Sequence, residues 1–241
     1  MNAHSSCAPS DVGPIGTTFP LLALTEIKKG FGEGEGRVQA LDGITLHIQS
    51  GEFCALSGPS GSGKSTLLNI LGLLDQADSG SYFFDGQTLK GASEKTVRSL
   101  RQKHFGFVFQ SFNLVQTLSA VENVEMALFH APMKAGVKRK QASEMLDLVG
   151  LGERLNHRPN QLSGGQQQRV AVARALVRQP RLVFADEPTA NLDAASAFGL
   201  MDLMDDMRRQ IGTSFITSTH DNRLMDRFSR IISLEDGRIL P

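Results

Sequence analysis

"GPSGSGKST", Gly58–Thr66, decides how this chain is read. It has the spacing G-x-x-x-x-G-K-[ST], with the strand-like run "EFCALS" ahead of it and the helical run "TLLNILGLL" behind it. In that setting the glycines let successive backbone N–H groups turn inward around phosphate oxygens, and the helix N-terminus adds its positive end. Lys64 is expected to reach the β- and γ-phosphates, and the Ser65 hydroxyl to ligate Mg²⁺. Gly58, Pro59, Ser60, Gly61, Ser62, Gly63 and Thr66 complete the expected cradle. A chance glycine turn with a stray lysine would not come with both flanking elements.

Hydrolysis needs a second piece, and "RLVFADE" supplies a candidate. An apolar strand ends in Asp186, a carboxylate placed to hold the magnesium shell. Glu187 follows directly and faces the other way, because neighbouring side chains on a strand alternate. It is the candidate to orient or deprotonate an attacking water. Two acids after a strand are weak evidence alone; beside the glycine loop they point to a nucleotide-hydrolysing protein.

The bulk numbers fit this reading. The chain has 241 residues, with 25 basic and 25 acidic side chains, and 40% of it is hydrophobic. The charge balance gives no reason to expect a nucleic-acid partner. No apolar run approaches the roughly 18–20 residues that cross a bilayer. Cys7 and Cys54 have neither metal-ligand nor redox spacing, which fits a reducing cytoplasmic setting; Cys54 reads as a small buried core residue. Residues 1–20, rich in Ser, Gly and Pro, read as a flexible arm. "VQALDGITLHIQSGEFCALSG" reads as short strands broken by glycine. From about residue 90 to 160 the character turns helical, in "SEKTVRSLRQKHFG", "SAVENVEMALFH" and "KRKQASEMLDLVGL". Alternation returns after Arg181, with a helix expected from about Ala194 to Arg209 and strands in "TSFITSTH" and "RIISLEDGRIL". The pattern is an α/β core interrupted by a mostly helical insertion, and no further domain is expected after the last strand.

"LSGGQ", Leu162–Gln166, is a second phosphate-suited stretch, a serine and two glycines just before a helix. Alone it reads as a plain helix N-cap. Together with the glycine loop and the acidic strand end, however, it resembles the signature of ATP-binding-cassette ATPases, and the other motifs follow in that family's order. Gln110 in "FGFVFQSFN" matches the Q-loop, "ANLD" ending at Asp193 the D-loop, and His220 in "TSTHD" the switch histidine. Phe31 falls where the family places an aromatic ring on adenine, commonly a tyrosine. The resemblance covers about residues 21–240.

It implies a P-loop NTPase (RecA-like) core, an antiparallel β subdomain and a helical signature subdomain at about 90–175, all within one nucleotide-binding domain at 21–241. It also implies ATP and Mg²⁺ as ligands, with Gln110 touching metal and water and His220 touching the γ-phosphate. Two cassettes would face head to tail, each ATP held by one chain's glycine loop and by Ser163, Gly164, Gly165 and Gln166 of the other. The chain most resembles ATPases paired with lipoprotein-releasing and macrolide-export permeases; "PTANLD" has Ala190 where these often have glycine. A separate permease is then expected, with the ATPase at the cytoplasmic face of the inner membrane. An ATPase of a polar amino acid importer or of a cell-division complex is the alternative. A soluble cassette protein acting on DNA or ribosomes would call for a long coiled coil or tandem cassettes. Finally, Phe112, Leu114 and Val115 of "SFNLVQTLSAVENV" are either an exposed docking surface or a buried core strand.

Overall fold

A computed structural model describes residues 19–240; most of the expected arm at 1–20, Cys7 and Pro241 lie outside them. Apolar alternation builds two sheets. Strands β1 (Leu22–Phe31), β2 (Val38–Ile48), β4 (Ser79–Phe84) and β5 (Gln87–Thr88) form an antiparallel sheet in the order β2-β1-β4-β5. The second sheet runs β10-β9-β3-β8-β7-β6, from β3 (Phe53–Ser57), β6 (Phe105–Val108), β7 (Leu182–Asp186), β8 (Ser214–Ser218), β9 (Arg230–Glu235) and β10 (Arg238–Ile239). Its strands from β9 to β6 are all parallel, and β10 closes one edge as an antiparallel hairpin with β9.

Period-two alternation assigns each strand residue to one of two cores. On β7, Leu182 and Phe184 face helix α1 (Lys64–Leu71) and the antiparallel sheet, packing with Leu67, Ile70, Leu24 and Ile27. Val183 and Ala185 face the opposite way, into the core that α5 (Gly164–Leu176) and α6 (Ala194–Ile211) supply through Val170, Ala173, Leu200 and Met204. Phe53 and Phe215 join that second core edge to face, with ring centroids 5.7 Å apart. Cys54, on the other face of β3, is fully buried, as expected.

The region expected to be helical contains α2 (Glu94–His104), α3 (Ala120–Glu125) and α4 (Ala135–Leu148). Within residues 90–175, β6 belongs to the central sheet: its Gly106 pairs with Val183. Two sequence expectations change here. The "short strands" of residues 38–48 are one strand, because Gly43 at φ 74° absorbs a register shift against β1 instead of ending the ladder. Leu114 is neither an exposed docking residue nor part of a strand. It lies in a loop, 8% exposed, in the same core as Val121 and Val124, while Phe112 packs half-buried and Val115 stays exposed. The loop sinks Leu114 because Phe112 and Asn113 both take left-handed φ (59° and 51°), turning the chain back under α5. Arg174 of α5 donates to both of their carbonyls.

Among the described residues, no helix is long and apolar enough to cross a membrane.

Candidate functional site

Strand β3 ends at Ser57, and the chain turns through Gly58–Gly63 into α1. Two glycines are obligatory. At Gly58 a Cβ would sit 2.1 Å from the Leu234 carbonyl oxygen of β9, and at Gly63, with φ 101°, it would sit 2.5 Å from that of Ala40. Gly63 caps α1 without a side-chain hydrogen bond. The first-turn N–H groups are therefore left without a side-chain cap, and an uncapped helix N-terminus is a ready seat for an anion. Lys64 is 8% exposed and donates to the carbonyls of Gly58 and Pro59, both at 2.8 Å. Ser62 is turned inward: its side chain is buried beneath the loop, and its carbonyl accepts from Gly237. It shapes the cradle from below.

The acidic strand end meets this loop from the neighbouring element. Ser65 Oγ donates to Asp186 Oδ1 at 3.3 Å, and Ser218 Oγ donates to the same oxygen at 2.6 Å. Glu187 leaves the strand with φ 43°, and its N–H donates to the Ser218 hydroxyl at 2.9 Å. Its Oε1 stands 3.1 Å from His220 Nδ1. Ser218 is the last residue of β8 and His220 follows in the loop two residues on, so that end of β8 brings both to the acids. Ser218 was missed in the sequence, although that spacing from His220 in "TSTHD" was the available signal.

A cavity of about 620 Å³ gathers Phe31, Val38, Ala40, most of the glycine loop, Lys64, Ser65, Thr66, Glu187 and His220. Phe31 ends β1 and is 47% exposed, with Lys29 Nζ 5.2 Å from its ring centre. A second cavity of about 610 Å³, between α1 and α2, contains none of the candidate residues. Size therefore does not separate the two; the glycine loop, with Lys64, Glu187 and His220, does.

The remaining candidates gather elsewhere. Ser163 is exposed and caps α5 reciprocally: its Oγ accepts from the Gln166 N–H, and Gln166 Oε1 accepts from the Ser163 N–H at 2.9 Å. A Cβ on Gly164 would meet the Asn191 carbonyl, and one on Gly165 would meet Ser196. Asp193 caps α6 by accepting from the Ser196 N–H and hydroxyl, and these bonds hold its carboxyl below the usual aspartate range. Gln110 sits exposed in the turn after β6, and its carbonyl accepts from Asn191 Nδ2 at 3.0 Å. None of Ser163–Gln166, Asp193 or Gln110 lines the 620 Å³ cavity.

A parallel sheet with a glycine loop at the end of β3 and an acidic pair at the end of β7 defines a P-loop nucleotide hydrolase. Residues 41–190 match the ABC transporter family, and the chain belongs to that family as one of its ATP-binding ATPase cassettes. It is 48% identical over 92% of its length to the macrolide export ATP-binding/permease protein MacB of Brucella melitensis, of which it spans 34%. It is 45% identical over 91% of its length to an uncharacterized ABC transporter ATP-binding protein of Methanocaldococcus jannaschii, of which it spans 98%. Among solved structures it superposes on a dimeric post-hydrolysis state of the ATP-binding cassette MJ0796 bound to ADP and Pi, with TM-score 0.83 and 40% identity. That match covers 91% of this chain and 97% of the other.

Proposed function

We infer that the chain is the ATP-hydrolysing subunit of a membrane transport complex, that it dimerises head to tail on ATP, and that it drives a permease of the lipoprotein-release or macrolide-export kind. The observation that carries the dimer is the separation of donors. Glycine loop, Phe31, Glu187 and His220 share one cavity, while the second phosphate-suited helix end, at Ser163–Gln166, stands outside it. One chain thus offers two half-sites, and the dimeric state of the MJ0796 cassette supports a dimer here. The name of the MacB relatives, which joins ATP-binding and permease in one protein, supports the partner. Such a complex would hold this cassette, residues 21–240, at the cytoplasmic face of the membrane.

In this reading Phe31 stacks on adenine, the glycine loop and Lys64 hold the phosphates, and Ser163, Gly164, Gly165 and Gln166 of a second copy complete the γ-phosphate site. Asp193 keeps the seam beside them in shape by capping α6. The Ser65 hydroxyl and the Asp186 carboxylate are hard oxygen donors in mutual contact, the pair that suits Mg²⁺ shared with phosphates. When bound, Mg²⁺ would neutralise charge on the β- and γ-phosphates. Gln110 would join from its turn as the two copies close. Glu187 accepts a proton from water as the water oxygen bonds to the γ-phosphorus and the bond to the ADP oxygen breaks. His220, already against Glu187, contacts the γ-phosphate.

The test is size-exclusion chromatography of Glu187→Gln with and without ATP. Binding without turnover should trap a dimer, since association adds contacts to a ligand that is no longer consumed. A monomer at saturating ATP would contradict the proposal. Copurification of the chain from membranes with a separate permease tests the partner.

A further inference from the structure

We propose that Gln168 is a positioning residue for hydrolysis: from the signature helix it fixes the backbone that carries Glu187, and so joins the two half-sites of one chain. The proposal rests on reading Glu187 as the group that acts on water.

Gln168 lies on α5, five residues after Ser163, and is fully buried. Its Nε2 donates to the carbonyl of Pro188, the residue after Glu187, at 2.8 Å. Its Oε1 is buried with no hydrogen-bond partner among the described residues. The other buried residues on this helix face, Ala171, Val172 and Ala175, are apolar. Packing alone asks for another apolar side chain here, because a half-satisfied buried amide lowers stability. What glutamine adds is the single bond that reaches across to the loop after β7.

That loop needs holding. Glu187 has φ 43°, a left-handed conformation that residues other than glycine avoid, and such strain persists only where the surroundings over-determine it. From the β8 side, the Glu187 N–H donates to the Ser218 hydroxyl and carbonyl. Within the loop, the Ala190 N–H donates to the Glu187 carbonyl at 3.2 Å. From the α5 side the restraint is Gln168. The backbone that carries the carboxylate facing His220 is therefore held between a sheet strand and the signature helix. Because Ser163 caps that same helix, any shift of the signature when it engages a nucleotide on another copy passes through Gln168 to the carboxylate of its own chain.

The test is steady-state ATPase kinetics of Gln168→Met, alone and combined with Glu187→Gln, on protein shown to be folded by its melting curve. Loosening a reacting group by a fraction of an ångström to an ångström slows turnover on the order of 10- to 100-fold. The expected result is a kcat loss of that size with KM for ATP within about threefold of the parent, since the glycine loop is untouched. In the Glu187→Gln background the methionine should add no further loss, because Gln168 acts through that carboxylate. An unchanged kcat in Gln168→Met beside an impaired Glu187→Gln would overturn the strut alone, as would a change confined to KM or fully additive losses. Full turnover in Glu187→Gln would overturn the reading of Glu187, and this proposal with it. If methionine is not tolerated, Gln168→Asn, whose amide is too short to reach Pro188, carries the same comparison.

Discussion

Replacing Lys64 should weaken ATP binding by an amount that its hydrogen bonds let us work out. An ammonium has three hydrogens. Two of them go to the carbonyls of Gly58 and Pro59, at 2.8 Å each, so one is left for a phosphate oxygen. A charge-assisted hydrogen bond contributes about 1.5–3 kcal/mol. At about 1.4 kcal/mol per tenfold, its loss raises the Kd roughly 10- to 150-fold. Lys64→Met removes the charge while nearly keeping the length, so the buried stem of this 8% exposed side chain is still filled. Lys64→Ala adds the loss of that packing and should bind no better. Isothermal titration with ATP measures both, and a thermal melt without nucleotide reports any collapse of the loop. Glu187→Gln is the contrasting variant: its side chain meets His220 instead of the glycine loop, so its Kd should stay within about threefold while turnover falls on the order of 100-fold. A Lys64→Met protein that binds ATP as the parent does would refute the reasoning. So would a Glu187→Gln protein that loses binding equally.

Leu114→Asn should act on the fold, since it places an amide among Val121, Val124 and Leu162; a cost of about 2–4 kcal/mol lowers the melting temperature by roughly 5–15 °C, read by calorimetry. An unchanged melt would mean that Leu114 faces solvent. Cys54 should resist alkylation by iodoacetamide at pH 8 in folded Cys7→Ser protein and react once denatured, because burial, and then the Glu52 carboxylate beside it, push its thiol up to about 12. Labelling at the rate of a free thiol would contradict that burial.

The elements assigned to the candidate site were legible because their side chains and their backbone needs coincide. Gly58 and Gly63 are demanded by close approach to Leu234 and Ala40, and the same absence of side chains leaves the loop open over the cavity. Asp186 was legible from the apolar run "LVFA", which reads as a buried strand ending at a polar residue, as it is. The contacts that order this site from behind were not legible. Ser218 and Gln168 look like ordinary polar residues of a strand and a helix, and their partners, Asp186 and Pro188, lie 32 and 20 residues away. Leu114 was ambiguous for a related reason: a lone leucine in a loop has no period, and its burial depends on Arg174 drawing the Phe112–Asn113 turn under α5. Gln110 was named by resemblance alone, and in the single chain its carbonyl meets Asn191 and it stays out of the cavity.

The central claim, that one ATP is held by the glycine loop of one copy and the signature of another, is tested most directly by mixing two defective chains. Lys64→Ala damages the glycine loop, and Ser163→Arg places a bulky cation on the exposed cap of α5. With Glu187→Gln in both chains to prevent turnover, each mixed dimer has one composite site intact and one carrying both lesions. Analytical ultracentrifugation with ATP should show association in the mixture and little or none in either chain alone. A mixture that associates no more than its separate components, while both remain folded, would contradict the shared site.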